Sequence, residues 1–168
     1  MVILAGFSRL VVHVDNFTPI GAMALFGGTY FTSKWKSWLL PIAALFLSDM
    51  IIQGVIYDSQ FGFPLYRSWY WVYGTFALIV LFGKWIIKKV NLTNVVLAGA
   101  ASSVAHWIIT DFGVWLTGCT DVTTGSLYTY DMQGLLKCYY LSIPYMKDFF
   151  CGTIFYSAIM FGAFELAQ

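Results

Sequence analysis

Charged side chains are scarce in this chain of 168 residues. It carries nine Lys and Arg and eight Asp and Glu, so 10% of the residues are charged, against about 25% in an ordinary soluble domain. Hydrophobic residues make up 60% of the chain, and the mean hydropathy is +0.74. So short a chain exposes much of its surface and has too few charges to cover it in water. The composition therefore predicts an integral membrane protein.

Other signals are absent as well. The net charge of +1 gives no concentrated basic patch, which excludes a nucleic-acid partner. Three cysteines without a CxxC spacing predict neither a disulfide framework nor a zinc site. The sequence contains no GxxxxGK[ST], HExxH or GxSxG motif. It therefore lacks the sequence patterns of phosphate-binding loops, of metalloproteases and of the serine nucleophile elbow. We predict a protein that is not an enzyme and holds no metal.

Long apolar stretches are present instead. A hydrocarbon core of about 30 Å needs around 20 apolar helical residues. Five stretches meet or approach that length, and residues 1–13 form a shorter sixth; the five are 18–33, 37–57, 69–88, 93–117 and 148–167. The apolar piece 134–146 is short and contains Pro144, which predicts a re-entrant or interfacial helix. No repeat or linker divides the chain, so we predict one all-α membrane domain over residues 1–168 with about six transmembrane helices.

The positions of the lysines predict the orientation of the chain in the membrane. Lys34 and Lys36 lie between the stretches 18–33 and 37–57, and three more lysines, Lys84, Lys88 and Lys89, lie at the junction of the stretches 69–88 and 93–117. Short cytoplasmic loops carry an excess of Lys and Arg, so both loops should face the cytoplasm. Six spans then place both termini on that side. The expected location is the bacterial inner membrane or an equivalent organelle membrane.

The few polar residues inside the stretches gather toward the outer side. Charged groups at this depth are costly and usually face a cavity or a partner. In the stretch 93–117 an acid lies between two indoles at helical spacing, a face that suits a small polar ligand. We predict a ligand-binding site open to the outside, although mutual capping of helix ends would give the same distribution. The candidate residues are Asn16, Asp49, His106, Trp107, Asp111 and Trp115.

His106 is the candidate for a cofactor ligand. Haem and chlorophyll are held by histidines in some membrane helices, but a lone histidine has no spacing signature. Hydrogen bonding across helices is the commoner role. We therefore predict no cofactor and keep haem or chlorophyll ligation as the minor alternative.

Several motifs resemble a known family. The string FSRLVVHVDNFTPIGAMALFGGTYF from Phe7 to Phe31, together with the LSD, DFGVW and GLLKCYYLSIPY motifs, is similar to a bacterial family of small membrane proteins assigned to transport without a known function. That family in turn resembles the S components of energy-coupling-factor vitamin transporters. The resemblance implies six helices, cytoplasmic termini and an outward-facing pocket. The family positions it carries over are Asn16, Thr18, Pro19, Gly21, Ser48, Asp49, Gly113 and Trp115.

These observations lead to two hypotheses. In the first, the chain is a solute-binding membrane subunit of a transporter that captures a small vitamin-like molecule from the outer side, with partner membrane subunits carrying the ATPase. In the second, it is an accessory structural subunit of a larger membrane complex that contacts pigments or lipids. A bound small molecule separates the first hypothesis from the second.

Overall fold

A computed structural model describes residues 16–52 and 68–167 of the chain. The predicted stretch 1–13 and the end of the stretch 37–57 lie outside these residues. The described part is all-helical, with a single isolated β-bridge between Thr120 and Leu127. Its helices are α1 (Ile20–Tyr30), α2 (Lys34–Ile51), α3 (Trp69–Ile86), α4 (Leu92–Leu116) and α5 (Met132–Leu166).

Three of these helices, α3, α4 and α5, are long and apolar enough to cross a membrane. The predicted stretches 69–88 and 93–117 correspond closely to α3 and α4. Helix α2 is also 18 residues long, but it carries Lys34, Lys36 and Asp49. Large apolar side chains are exposed on the outer faces of the bundle, as a lipid-facing surface requires; examples are Leu47, Leu97, Ile108, Phe155 and Ile159.

Helix α1 is the centre of the bundle. Residues 20–28 are all buried, and the helix packs against each of the other four. Its glycines allow close contact with α3: a Cβ built on Gly28 lies 2.0 Å from the carbonyl oxygen of Val80, and one on Gly83 lies 2.3 Å from that of Leu25. The hydroxyl of Thr29 donates to the Gly83 carbonyl at 3.2 Å. The backbones of α1 and α3 are therefore in direct contact.

The length of α1 differs from the predicted full span 18–33. Its 11 residues extend about 16 Å, roughly half of a hydrocarbon core. The helix begins beside the middle of α5, where a Cβ on Gly152 would lie 2.9 Å from the Thr18 nitrogen. It ends near the opposite tip of α5, where the Tyr30 hydroxyl donates to the Glu165 carboxylate. Helix α1 thus fills only one half of the bundle.

The two ends of the bundle are distinct. We call the end that carries Lys36, Lys84, Lys88 and Lys89 the lysine end, and the end that carries residues 117–131 the loop end. Helix α1 occupies the lysine-end half. At the loop end, residues 117–131 join α4 to α5.

Helix α5 is continuous over 35 residues. The predicted separate segment 134–146 is its first part, and the predicted stretch 148–167 is its second. Pro144 removes one backbone donor but does not end the helix. Contacts with α4 hold both parts: Trp107 bonds to Ser142 on one side of the proline, and His106 stacks on Phe149 on the other. Packing along the whole length of α4 therefore overrides the local helix-breaking signal.

Candidate functional site

A cavity of about 280 Å³ lies in the loop-end half of the bundle, beyond the N-terminus of α1. All five helices and the short segment before α1 contribute to its wall. The lining residues are Asn16, Thr18, Ile20, Leu45, Ser68, Val72, Phe76, His106, Thr110, Asp111, Val114 and Phe149. The cavity exists because α1 stops halfway along its neighbours. It holds three of the six predicted site residues, Asn16, His106 and Asp111.

Asp111 gives the cavity its charge. Among the described lining residues it is the only acid, and none is Lys or Arg. Its carboxyl group is partly buried and lies beside the Ser142 hydroxyl of α5. A partly buried carboxylate without a cation in the same wall favours a ligand that donates hydrogen bonds or carries positive charge.

His106 lies in an aromatic part of the wall. Its ring stacks on Phe149 with centroids 4.3 Å apart and planes 16° apart, and the Phe76 ring centroid is 5.6 Å away. Within residues 16–52 and 68–167, its imidazole nitrogens have no hydrogen-bond partner. The Phe76 ring is tilted by 56° to the His106 ring and by 60° to the Phe149 ring, so the three rings form an aromatic wall of the cavity that Asp111 also lines.

The floor of the cavity is the start of α1. Asn16 adopts a positive φ of 57°, a left-handed conformation that asparagine tolerates better than most residues. Thr18 and Ile20 line the cavity, and the N-cap residue Pro19 provides no side-chain hydrogen bond to the first turn. The partial positive charge of a helix N-terminus therefore lies at the cavity floor.

Trp107 and Trp115, in contrast, do not line the cavity. The Trp107 indole donates to the Ser142 hydroxyl at 2.8 Å and to the Tyr139 carbonyl at 3.2 Å, which joins α4 to α5. The Trp115 indole donates to the Thr129 carbonyl at 2.9 Å, which joins α4 to the loop. Both indoles therefore bond to other parts of the protein.

Asp49 also lies away from the cavity. It is buried on α2 and accepts a hydrogen bond from the Tyr73 hydroxyl of α3 at 3.0 Å. The residue of α2 that lines the cavity is Leu45, one turn earlier. This placement gives Asp49 a role in joining α2 to α3.

Residues that the sequence did not point to, such as Thr110 and Val114 beside the predicted His106, complete the site. His106, Thr110 and Val114 follow one another at four-residue spacing and form the cavity face of α4. The predicted stripe Trp107, Asp111 and Trp115 is rotated from it by one residue, so Asp111 lies at its edge. The rings of Phe76 and Phe149 gave no signal, because phenylalanines are common throughout the chain.

Two larger clefts lie at the lysine end. They measure about 440 and 500 Å³, and their lining includes Lys36, Lys84, Lys88 and the indole of Trp35. Lysines with tryptophans are typical of the lipid headgroup region. The smaller cavity at the loop end, which combines a carboxyl group with rings from several helices, is the better candidate for a solute.

The comparison with protein families matches the whole chain. The profile of DUF6580, a family of unknown function, covers residues 1–168. The chain belongs to this family. No curated protein matches it, and no solved structure does. Membership of DUF6580 establishes a relationship and carries no activity with it, so the chemistry of the site rests on the residues above.

The loop end of this DUF6580 chain is closed by a compact loop centred on Asp121. The buried carboxylate accepts from the backbone nitrogen and the hydroxyl of Thr123, at 2.8 and 2.6 Å, and pairs with Lys137 of α5. The Asp121 nitrogen bonds to the Ser126 carbonyl at 2.8 Å. Lys137 and Thr123 hold the pKa of the Asp121 carboxyl well below its usual range.

Trp107→Phe tests the join between α4 and α5. Phenylalanine keeps the ring but loses both hydrogen bonds, so we expect the free energy of unfolding to fall by about 1 kcal/mol. Thermal unfolding in detergent measures this. Trp85→Phe is the matched control, since Trp85 is 58% exposed and has no hydrogen bond within the described residues. Equal shifts for the two variants would contradict a bonding role for Trp107.

Proposed function

We propose that the chain is an integral membrane protein with six spans and both termini in the cytoplasm. Three apolar helices of spanning length and the exposed apolar side chains around them support this proposal. The lysine end carries the excess of positive charge expected of a cytoplasmic face. In this orientation the loop end and the cavity face outward. The proposed location is a bacterial inner membrane or an equivalent organelle membrane.

In this membrane, we infer that the protein is a solute-binding subunit of a transporter. The observation that carries this inference is the cavity lined by Asp111 and His106 in the half of the bundle that α1 leaves empty. Ligand pockets are concave, largely apolar and provided with a few convergent polar groups, which describes this wall. Helices that stop at mid-depth with their N-termini at a cavity are also typical of transporter binding sites.

The wall suggests a class of solute. The cavity volume of about 280 Å³ lies at the lower limit of the usual range for ligand pockets, about 300–1,000 Å³. Phe76 and Phe149 offer ring faces, and Asp111 accepts charged hydrogen bonds. We propose a small solute with a flat, hydrogen-bond-donating or cationic ring. Partner membrane subunits would supply the ATPase, as in the energy-coupling-factor transporters whose S components the chain resembles.

Asp111→Asn tests this function. The full chain is purified in lipid nanodiscs, the small molecules bound to it are extracted and identified by mass spectrometry, and the affinity for the identified compound is then measured by calorimetry. A hydrogen bond to a charged group contributes about 1.5–3 kcal/mol, so we expect the affinity to fall at least tenfold. The chain should otherwise remain folded, because asparagine has nearly the same shape.

A matched pair of threonines provides the control. Thr110 and Thr117 both bond to the carbonyl four residues earlier in α4, at 2.6 and 2.7 Å, but only Thr110 lines the cavity. Thr110→Val should weaken binding, and Thr117→Val should not. If Asp111→Asn and Phe149→Ala both leave the affinity unchanged, the cavity is not the site. Isolation within a larger assembly, without any bound molecule, would support the accessory structural subunit instead.

A further inference from the structure

A basic cleft lies at the lysine end, between the end of α3 and the corner at which the chain passes from α1 into α2. It measures about 500 Å³. Its buried lining includes Gly28 and Val80, where the backbones of α1 and α3 touch. Lys84 and Lys88 also line it, and both of these residues are exposed. The cleft is therefore a concave surface with a closed floor and two lysines at its edge.

The charge of this cleft is positive. None of its described lining residues is Asp or Glu. Of the acidic residues that the structure describes, Glu165 is the one at the lysine end, and its carboxylate accepts a hydrogen bond from the Tyr30 hydroxyl. Neither Lys84 nor Lys88 forms an ion pair within residues 16–52 and 68–167. Concave surfaces with charge of one sign concentrate ligands of the opposite sign, so the cleft favours an anion.

The wall beside the lysines is largely apolar. Phe31 and Trp38 line the cleft from the side of α2, and Leu81 and Ile87 line it from the side of α3. Inorganic phosphate has no apolar part to place against these side chains. A phospholipid has an anionic phosphate attached to glycerol and acyl chains, so it can contact both parts of the wall. The composition of the cleft thus fits an amphiphile better than a small soluble anion.

Exposed tryptophans mark the depth of the cleft. Trp35 at the start of α2 and Trp85 near the end of α3 are both exposed, and each is next to a lysine in the sequence. Tryptophan and lysine gather at the level of the lipid headgroups. In the orientation proposed above, this level belongs to the cytoplasmic leaflet, whose surface is anionic. Basic pockets between helices on that side are known binding sites for anionic headgroups.

We propose that this cleft binds one anionic phospholipid, with the phosphate held by Lys84 and Lys88 and the glycerol and upper acyl chains against Leu81 and Trp38. Ammonium groups form charge-assisted hydrogen bonds with phosphate oxygens. The lipid would occupy the space between the α1–α2 corner and α3, and so fix the corner against the bundle. The site depends on the membrane placement proposed above, but it involves neither the loop-end cavity nor a solute.

Native mass spectrometry of the full chain tests the choice of ligand. Purified protein is mixed with equal amounts of phosphatidylglycerol and phosphatidylcholine that carry the same acyl chains. We expect one phosphatidylglycerol to remain bound with at least tenfold preference, because only this lipid has a net negative charge. Equal retention of the two lipids would overturn the proposal. Displacement of the lipid by millimolar glycerol 3-phosphate would assign the cleft to a soluble phosphate and would also overturn it.

Two neighbouring lysines provide the matched variants. Lys88 and Lys89 are both exposed, but only Lys88 lines the cleft. Lys84→Gln and Lys88→Gln should each lower the preference for phosphatidylglycerol at least threefold, whereas Lys89→Gln and the charge-conserving Lys88→Arg should change it less than twofold. Thr32→Trp fills the cleft without changing the charge and should lower the retention of this lipid at least threefold.

An equal loss in Lys88→Gln and Lys89→Gln would indicate diffuse attraction to the whole lysine end and would overturn a defined site. Unchanged thermal unfolding in detergent shows that each variant is folded, as expected for substitutions at exposed residues. The experiment contains no solute, so its outcome is independent of the proposed solute-binding function.

Discussion

Gly28→Ala is expected to destabilise the protein by about 3 kcal/mol or more. A single methyl group at this position lies 2.0 Å from the Val80 carbonyl oxygen, which is backbone and has no rotamer to change. Overpacking costs about 1–3 kcal/mol where side chains absorb it, and here α1 and α3 must separate. Gly83→Ala should have a similar effect, because its methyl group meets the Leu25 carbonyl oxygen at 2.3 Å.

Gly74→Ala is the matched control on α3. No described atom lies within 4 Å of a Cβ built there, so alanine should gain about 0.5–1 kcal/mol through its higher helix propensity. The free energy of unfolding in detergent, from denaturation with sodium dodecyl sulfate, measures all three variants. If Gly28→Ala unfolds at the same denaturant fraction as Gly74→Ala, the close contact between α1 and α3 is wrong.

Lys137→Met is expected to open the loop at residues 117–131 at neutral pH. It leaves the buried Asp121 carboxylate without its cation, which is more costly than losing both charges. Hydrogen exchange of the amides at residues 123–126, corrected for the intrinsic rate at each pH, should become several-fold faster. Lys88→Met, an exposed lysine without an ion pair in the described residues, should leave these amides unchanged.

The sign of the pH dependence follows from the lowered pKa of Asp121. A carboxyl group whose pKa falls on folding stabilises the folded state above its unfolded pKa, about 3.9. The wild-type loop should therefore remain protected above about pH 4 and lose protection as the pH falls further. The difference between wild type and Lys137→Met should be largest at neutral pH and vanish at the acidic end. A difference that grows toward low pH would contradict the ion pair.

The sequence alone predicted the positions of the long helices, but it did not predict how far each helix extends through the bundle. The apolar stretches 69–88 and 93–117 predicted α3 and α4 because a membrane span has a strong composition signal. The stretch 18–33 has the same apolar character, yet α1 extends only over Ile20–Tyr30. A half-length helix buried among neighbours and a full span facing lipid both require apolar residues. Composition therefore cannot separate the two.

Pro144 is a misleading helix-ending signal in α5. A local rule places a helix boundary near Pro144 and predicts two segments, 134–146 and 148–167, where the structure has one helix. The helix continues because contacts with α4 hold it on both sides of the proline, and these contacts join residues more than 30 positions apart. Only the folded structure contains that information.

For a similar reason, the sequence pointed to some of the residues that line the cavity and missed others. Helical spacing grouped Trp107, Asp111 and Trp115 correctly on one face of α4, but spacing does not say what the face meets. The indoles bond to α5 and to the loop, whereas the cavity lies beside His106 and Thr110. Scarcity of charge singled out Asp111, which lines the cavity, and also Asp49, which does not.

The continuity of α5 connects the two ends of the bundle through a single backbone. Pro144, the point at which its hydrogen-bond ladder is weakest, lies about 18 Å from Met132 and about 33 Å from Leu166. The shorter part is attached to the loop through Lys137, and the longer part to α1 through Tyr30 and Glu165. One helix therefore carries the attachments of both the loop at residues 117–131 and the lysine end of α1.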